Sequence, residues 1–232
     1  MKKWIKSMKS LRGVNLEEIM ENIWKSGEVI YTKNLCPGQK VYGEKSFSRD
    51  GESFREWEPR RSKLGAAIMK GLRETEIKKD SKVLYLGAAS GTTISHVSDI
   101  VETGFVYGVE YSKKVVTDLL HVAKERKNLC PILGDARKPE EYENIVSTVD
   151  ILFQDVAQPD QVKIFKKNFD KFVKEGGKGI LAVKSQSISS SKPKKEVFEE
   201  QEEKLLETFK IVWKDNLEPY EKDHMVYVIE KK

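Results

Sequence analysis

Two cysteines and three histidines in 232 residues leave little material for thiol or metal chemistry. Cys36 and Cys130 form no spaced framework, which excludes a disulfide scaffold and leads one to expect a reducing compartment. The histidines are scattered, so no metal site is expected. No apolar run approaches the ~20 residues of a bilayer-spanning helix, and no membrane partner is expected. Arginine is scarce too: eight of the 42 basic residues are Arg, and none lies beyond Arg137. There is neither a dense arginine patch nor the signature of an RNA-recognition motif. Internal repeats are absent, and Ser185 to Ser191 is the only low-complexity stretch.

Charged residues make up 34% of the chain and give a net charge of +5. That content exceeds the roughly 25% usual for globular domains. The net charge permits a polyanionic partner without requiring one. Lys with Glu enrichment fits a heat-adapted protein, and a biased genome composition produces the same pattern. Residues 1–14 form a basic extension in which Lys2, Lys3, Lys6, Lys9 and Arg12 alternate with Trp4, Ile5, Met8 and Leu11. It has no small-residue cleavage site and does not read as a secretory signal, so a cytoplasmic protein is expected.

Residues 15–58 read as a small β-rich domain. Gly27 to Thr32 is an expected strand, and Val41 to Phe47 and Ser53 to Trp57 are extended runs. Between them Asp50-Gly51 is a strong hairpin signal. Glu58-Pro59 marks a boundary, and residues 59–232 change style. Ser62 caps a helix, after which short apolar runs alternate with amphipathic helices. Strands are expected at Lys82–Leu86, Phe105–Val109, Cys130–Leu133, Val149–Phe153 and Gly179–Val183. A helix opening at Pro159 is expected to stop at Gly176-Gly177. This alternation predicts an α/β fold with a parallel, Rossmann-like sheet. Two closing runs, Phe209–Trp213 and Met225–Ile229, are joined by a short turn and must be antiparallel, so the sheet ends on a reversed C-terminal strand.

In such sheets ligands sit beyond the carboxyl ends of the strands. The first strand leads into Gly87-Ala88-Ala89-Ser90-Gly91-Thr92-Thr93, a glycine-containing turn that does not match the G-x-G-x-x-G of diphosphate binders. Glu110 closes the second strand, where a carboxylate accepts hydrogen bonds from both hydroxyls of a ribose. Asp135, after the third, stands where an adenine amino group is expected. Three nucleoside-type contacts without a diphosphate fingerprint favour S-adenosylmethionine over NAD. The reversed last strand, a habit of class I methyltransferases, agrees. Asp155 and Lys184 end the fourth and fifth strands, and Lys63, in the first turn of the preceding helix, can reach the same place.

These stretches resemble the fibrillarin family in its archaeal type. The most specific are Val41 to Lys45, Arg61-Ser62-Lys63-Leu64, Tyr85 to Thr93, Asp155-Val156-Ala157-Gln158 and Glu218 to His224. The resemblance implies an RNA 2′-O-methyltransferase that uses S-adenosylmethionine and acts on rRNA or tRNA nucleotides selected by box C/D guide RNA. It implies cofactor contacts at Gly87, Ala89, Gly91, Thr92, Thr93, Glu110, Tyr111, Asp135, Ala136, Asp155, Val156, Ala157 and Gln158. Implied partners are a Nop-domain scaffold protein and a kink-turn-binding subunit related to a ribosomal protein. Related ribose methyltransferases carry a Lys-Asp-Lys-Glu tetrad. Lys63, Asp155 and Lys184 match its first three members, and His224 stands where the Glu is expected. Lys184 is read as the group nearest the hydroxyl, and exchange of roles between the two lysines stays open. A free-standing methyltransferase and a non-catalytic particle subunit are the alternatives.

Overall fold

The computed structural model describes residues 15–232; the basic extension lies outside the described residues. A first, antiparallel sheet is built from β1 (Glu17–Met20), β2 (Ile23–Ser26), β3 (Val29–Lys33), β4 (Ser46–Arg49) and β5 (Glu52–Trp57), in the order β1-β2-β3-β5-β4. The β4–β5 hairpin turns on Asp50 and Gly51, both at positive φ (51° and 84°), the backbone that a tight two-residue turn demands. Two expectations fail here. Gly27 and Glu28 belong to the turn before β3, so the strand starts at Val29. Val41 to Lys45 is not extended either: the Glu44 carboxylate accepts the amides of Val41 and Tyr42 and curls the segment into a loop.

A short 3-10 turn, Pro59–Arg61, leads into α1 (Lys63–Met69), whose cap Ser62 accepts the Gly65 amide. The remaining chain alternates β6 (Lys82–Leu86), α2 (Thr92–Ile100), β7 (Phe105–Glu110), α3 (Lys113–Ala123), β8 (Leu129–Leu133), β9 (Val149–Gln154), α4 (Gln161–Phe172) and β10 (Val173–Lys184). It closes with α5 (Ser185–Ile188), α6 (Lys194–Leu206), β11 (Phe209–Asn216) and β12 (His224–Lys231). The seven strands are ordered β11-β12-β10-β9-β6-β7-β8, and β12 runs against both of its neighbours. The expected Rossmann-like sheet with a reversed last strand is present. Gly176-Gly177, however, does not end α4. That helix stops at Phe172, and the glycines lie in a bulge of β10 that resumes pairing with β9 at Lys178.

Both faces of this sheet are covered. Val162, Phe165, Phe169 and Phe172 of α4 are buried with Leu84, Leu152 and Leu181 on one side. On the other, α1 and α2 pack with Ile23, Ile30 and Trp57 of the first sheet into a single core. The seam between the sheets also holds buried charge. Arg55 of β5 donates to Asp99 of α2 (2.5 Å), to Glu44 (2.8 Å) and to Ser95 Oγ (2.8 Å). Arg126 binds the other oxygen of Asp99 at 2.6 Å. All four ionised side chains are at most 2% exposed. Beside them His96 lies flat on Trp57, with ring centroids 4.7 Å apart. Burial first, and the cations of Arg55 and Arg126 next, hold its pKa well below the usual value, so it is neutral. Its Nδ1 pairs with the Thr32 hydroxyl, which donates to Asp99, and its Nε2 pairs with the Tyr42 hydroxyl.

Removing one member of a buried, hydrogen-bonded set of charges strands its partners, a loss of about 3–5 kcal/mol. Arg55→Leu, which leaves Glu44 unpaired and Asp99 with one cation, should lower the urea unfolding free energy by about that amount. A loss below about 1 kcal/mol would show that the seam is held by its apolar contacts alone.

Candidate active site

The glycine turn after β6 is shaped by close approach of two strands. Gly87 sits at φ +81°, and a Cβ on it would lie 2.2 Å from the Asp155 carbonyl oxygen. Only glycine lets the turn lie against the end of β9 in this way. Its amide donates to the Val109 carbonyl, and the Asp155 amide donates to the Leu86 carbonyl. Three strand ends thereby converge on a cavity of about 250 Å³.

Ten expected residues line that cavity: Gly87, Ala89, Glu110, Tyr111, Asp135, Ala136, Asp155, Val156, Ala157 and Gln158. Gly91, Thr92 and Thr93 do not. Gly91 begins α2, where a Cβ would lie 2.9 Å from Val122. Thr93 is buried and donates its hydroxyl to Ser62 Oγ (3.0 Å), tying α2 to the start of α1. Glu110 is fixed by the turn it serves: one oxygen accepts the Ala89 amide (2.9 Å), the other the Ser112 amide (2.8 Å). A carboxylate has about four acceptor positions, so two remain for a vicinal diol. Asp135 is clasped by Arg137, whose guanidinium donates to both of its oxygens at 2.8–3.1 Å. Those hydrogen bonds, more than its slight burial opposes, hold the Asp135 pKa below the usual carboxylate value. Arg137 lines the cavity and escaped the sequence reading. Its position two residues beyond Asp135 was the available signal.

Asp155 connects this cavity to a second group of charges. Lys63 Nζ lies 3.4 Å from Asp155 Oδ2 and 3.6 Å from Glu221 Oε1. Burial pulls the Lys63 pKa down, but the two carboxylates outweigh it and the net direction is up. Lys63 is a fixed cation. Glu221 was missed in the sequence because attention fell on His224, three residues later. Its carboxylate is also 4.0 Å from His224 Nδ1. That nitrogen is 2.6 Å from the Lys222 carbonyl, which only accepts, so Nδ1 carries the proton and Nε2 is an acceptor. Burial foremost, aided by Lys63, lowers the His224 pKa against the opposing pull of the Lys222 carbonyl, Asp155 and Glu221. The ring is neutral.

Lys184 pairs with His224 in register across β10 and β12. Its backbone is clamped by buried Gln161, which accepts from the Lys184 amide (2.9 Å) and donates to its carbonyl (3.2 Å). Its ammonium makes no hydrogen bond or ion pair within the described residues. The structure thus brings Lys63, Asp155, Glu221 and His224 into one cluster and leaves Lys184 beside it with an uncommitted amine.

A parallel sheet with a reversed C-terminal strand, and a cavity lined by Glu110, Asp135 and Asp155 at its carboxyl edge, define a class I methyltransferase type of α/β protein. Within that class the chain belongs to the fibrillarin family, whose profile matches residues 12–232. It is 54% identical over 205 residues to the fibrillarin-like rRNA/tRNA 2′-O-methyltransferase of Pyrococcus furiosus, covering 88% of this chain and 90% of that one. Fibrillarin from Aeropyrum pernix, solved with natively bound S-adenosyl-L-methionine, superposes with a TM-score of 0.82 at 43% identity, over 90% of this chain and 93% of that one. A chain of a fibrillarin/Nop5p complex gives 0.86 at 43% identity, over 93% and 100%.

The charges around His224 carry opposite signs, so they can be separated by titration. In NMR spectra the His224 midpoint should lie below the ordinary 6.5. Lys63→Met, removing a cation, should raise it, and Glu221→Gln, removing an anion, should lower it, each by up to about one unit. Shifts of the same sign in both variants would mean that rearrangement, and not charge, controls the ring.

Proposed function

We infer that this chain is an S-adenosylmethionine-dependent RNA ribose 2′-O-methyltransferase acting on rRNA and tRNA. One observation carries the reading: the nucleoside cavity and the Lys63–Glu221 cluster share a residue, Asp155, so cofactor and proton chemistry meet at one carboxylate. The cavity suits the cofactor. Glu110 keeps two acceptor positions for the ribose diol, Gly87 leaves room at the turn, and Asp135, its oxygens held by Arg137, adds a carboxylate to the same lining. When bound, the cofactor supplies a methyl group already activated by the sulfonium charge.

What this chain must add is alignment and removal of the hydroxyl proton. Lys63 is poorly suited to accept that proton, because Asp155 and Glu221 hold it as an ammonium. Lys184 has no such restraint, and it is the proposed base. Lys63 then acts as an immobile cation that positions Asp155. Glu221 shares the load on Lys63, and neutral His224 offers Nε2 as an acceptor opposite Lys184. Catalytic roles are assigned to Lys184, Asp155 and Lys63, with His224 as a polar contact.

Target choice is proposed to lie outside the chain, in a box C/D guide RNA. The relative solved with Nop5p supports a Nop-domain scaffold partner, and a kink-turn-binding ribosomal-protein-like subunit completes the proposed particle. In reconstituted particles, Lys184→Ala should lower single-turnover methylation by about 10²- to 10⁴-fold. S-adenosylmethionine affinity should persist, whereas Glu110→Ala should weaken it. Lys184→Arg should fail as well, since a guanidinium does not give up its proton. Near-normal turnover in the Arg variant would sink the assignment of the base. Absence of any 2′-O-methyl transfer by the wild type would sink the whole reading.

A further inference from the structure

The structure describes seven arginines, and four are committed to carboxylates: Arg55 and Arg126 in the buried seam, Arg49 to Asp50 and Arg137 to Asp135. Arg73 lies beyond the far end of α1. Arg60 and Arg61 are different. They sit side by side on the 3-10 turn immediately before Ser62 and Lys63, both are exposed, and neither makes an ion pair. Glu58, the nearest acid in sequence, accepts the backbone amide of Arg60 and not its guanidinium.

Each guanidinium is nonetheless held. Arg60 lies over the Tyr220 ring, 5.9 Å from its centroid, and donates once to the Pro219 carbonyl (3.1 Å). Arg61 lies over Tyr42 at 5.8 Å. A guanidinium over a ring keeps N–H donors available to an anion. Among the described residues Arg60 therefore keeps most of its five donors, and Arg61 keeps all of them. Tyr220 adjoins Glu221, and Arg61 is two residues from Lys63, so the pair borders the catalytic cluster. Within that cluster the charge of Lys63 is already shared by two carboxylates.

We propose that Arg60 and Arg61 form a phosphate-binding lip that grips the backbone of the RNA strand next to the methylated ribose. The proposal rests on the reading of the chain as an RNA ribose methyltransferase and adds to it a seat for the acceptor strand. Two planar guanidinium forks match phosphate oxygens and carry no information about base identity. A lip of this kind positions a strand without selecting its sequence.

The test is the salt dependence of methylation in the assembled particle, measured as kcat/KM for the target RNA from about 50 to 200 mM KCl. Each phosphate contact to a single strand contributes about 0.7 to the logarithmic salt slope. Arg60→Gln/Arg61→Gln should reduce the magnitude of the slope by about 1.4 and lower the rate at the lowest salt by roughly tenfold or more. Guide–target pairing contributes equally to both proteins, so the difference isolates the arginines. Arg61→Gln alone, which spares the Pro219 contact, should remove about half of the slope change. S-adenosylmethionine affinity should stay at its wild-type value and so report an intact fold. Salt slopes that coincide with the wild type overturn the lip while leaving the enzyme assignment standing, since the wild type methylates in the same series. A rate loss that tracks failure of the variant to co-elute with the scaffold protein also overturns it, because the guanidiniums then face protein.

Discussion

The buried pairing of Arg55 with Asp99 and Glu44 governs where the active-site lysine ends up. Arg55 is near the end of β5, and only two residues separate it from Glu58, where the chain leaves the first sheet. By fastening β5 to α2, the pairing fixes the point from which Pro59–Arg61 and Ser62 launch α1. Ser62 then receives the Thr93 hydroxyl from the start of α2, so the launch is tied down again within one turn of the glycine loop. Lys63 is the first residue of that helix. Its placement against Asp155, which ends a strand of the other sheet, follows from contacts made some residues upstream. The small sheet thus does more than cover α2: it is the mount on which Lys63 is carried.

Charge at the site is nearly balanced before any ligand arrives. Lys63 and Lys184 provide two cations, Asp155 and Glu221 two anions, and His224 is neutral because it is buried beside Lys63. A cationic methyl donor and an anionic RNA strand have opposing electrostatic demands. Balance lets both approach, where a site of strong single sign would repel one of them. The asymmetry lies in the restraints. One amine is locked between carboxylates, and the other, at a strand end clamped by Gln161, has no partner among the described residues. Two lysines indistinguishable by residue type acquire different chemistry from their neighbours.

Period and punctuation made the large sheet legible in sequence. Lys82–Leu86 is a short apolar run with a glycine turn after it, and that pattern sufficed to place Glu110 and Asp135 at successive strand ends. Where the reading failed, a side chain had replaced a turn signal. The Glu44 carboxylate folds Val41 to Lys45 by accepting backbone amides, and no periodicity announces that. Gly176-Gly177 resembled a helix stop and instead relieves crowding in a bulge, where a Cβ on Gly177 would lie 2.7 Å from the Asp150 carbonyl oxygen. Glu221 was hidden for a related reason. Its partner Lys63 is far away in sequence, and carboxylates in a charge-rich chain carry no local mark of function.

The distribution of recognition follows from the same contacts. Glu110 and Asp135 are carboxylates fixed by their own turns at the rim of the cavity, which fits the proposed nucleoside ligand. Toward an RNA strand the site offers an amine and two guanidiniums lying over tyrosine rings, groups suited to sugar and phosphate. Reading a base edge requires donors and acceptors held in a base-sized pocket or an aromatic platform for stacking. Tyr42 and Tyr220 each have a guanidinium over the ring, 5.8 and 5.9 Å from the centroid. Such groups position a sugar and its phosphates and read no base edge, which fits the proposal that a pairing RNA makes the choice among nucleotides.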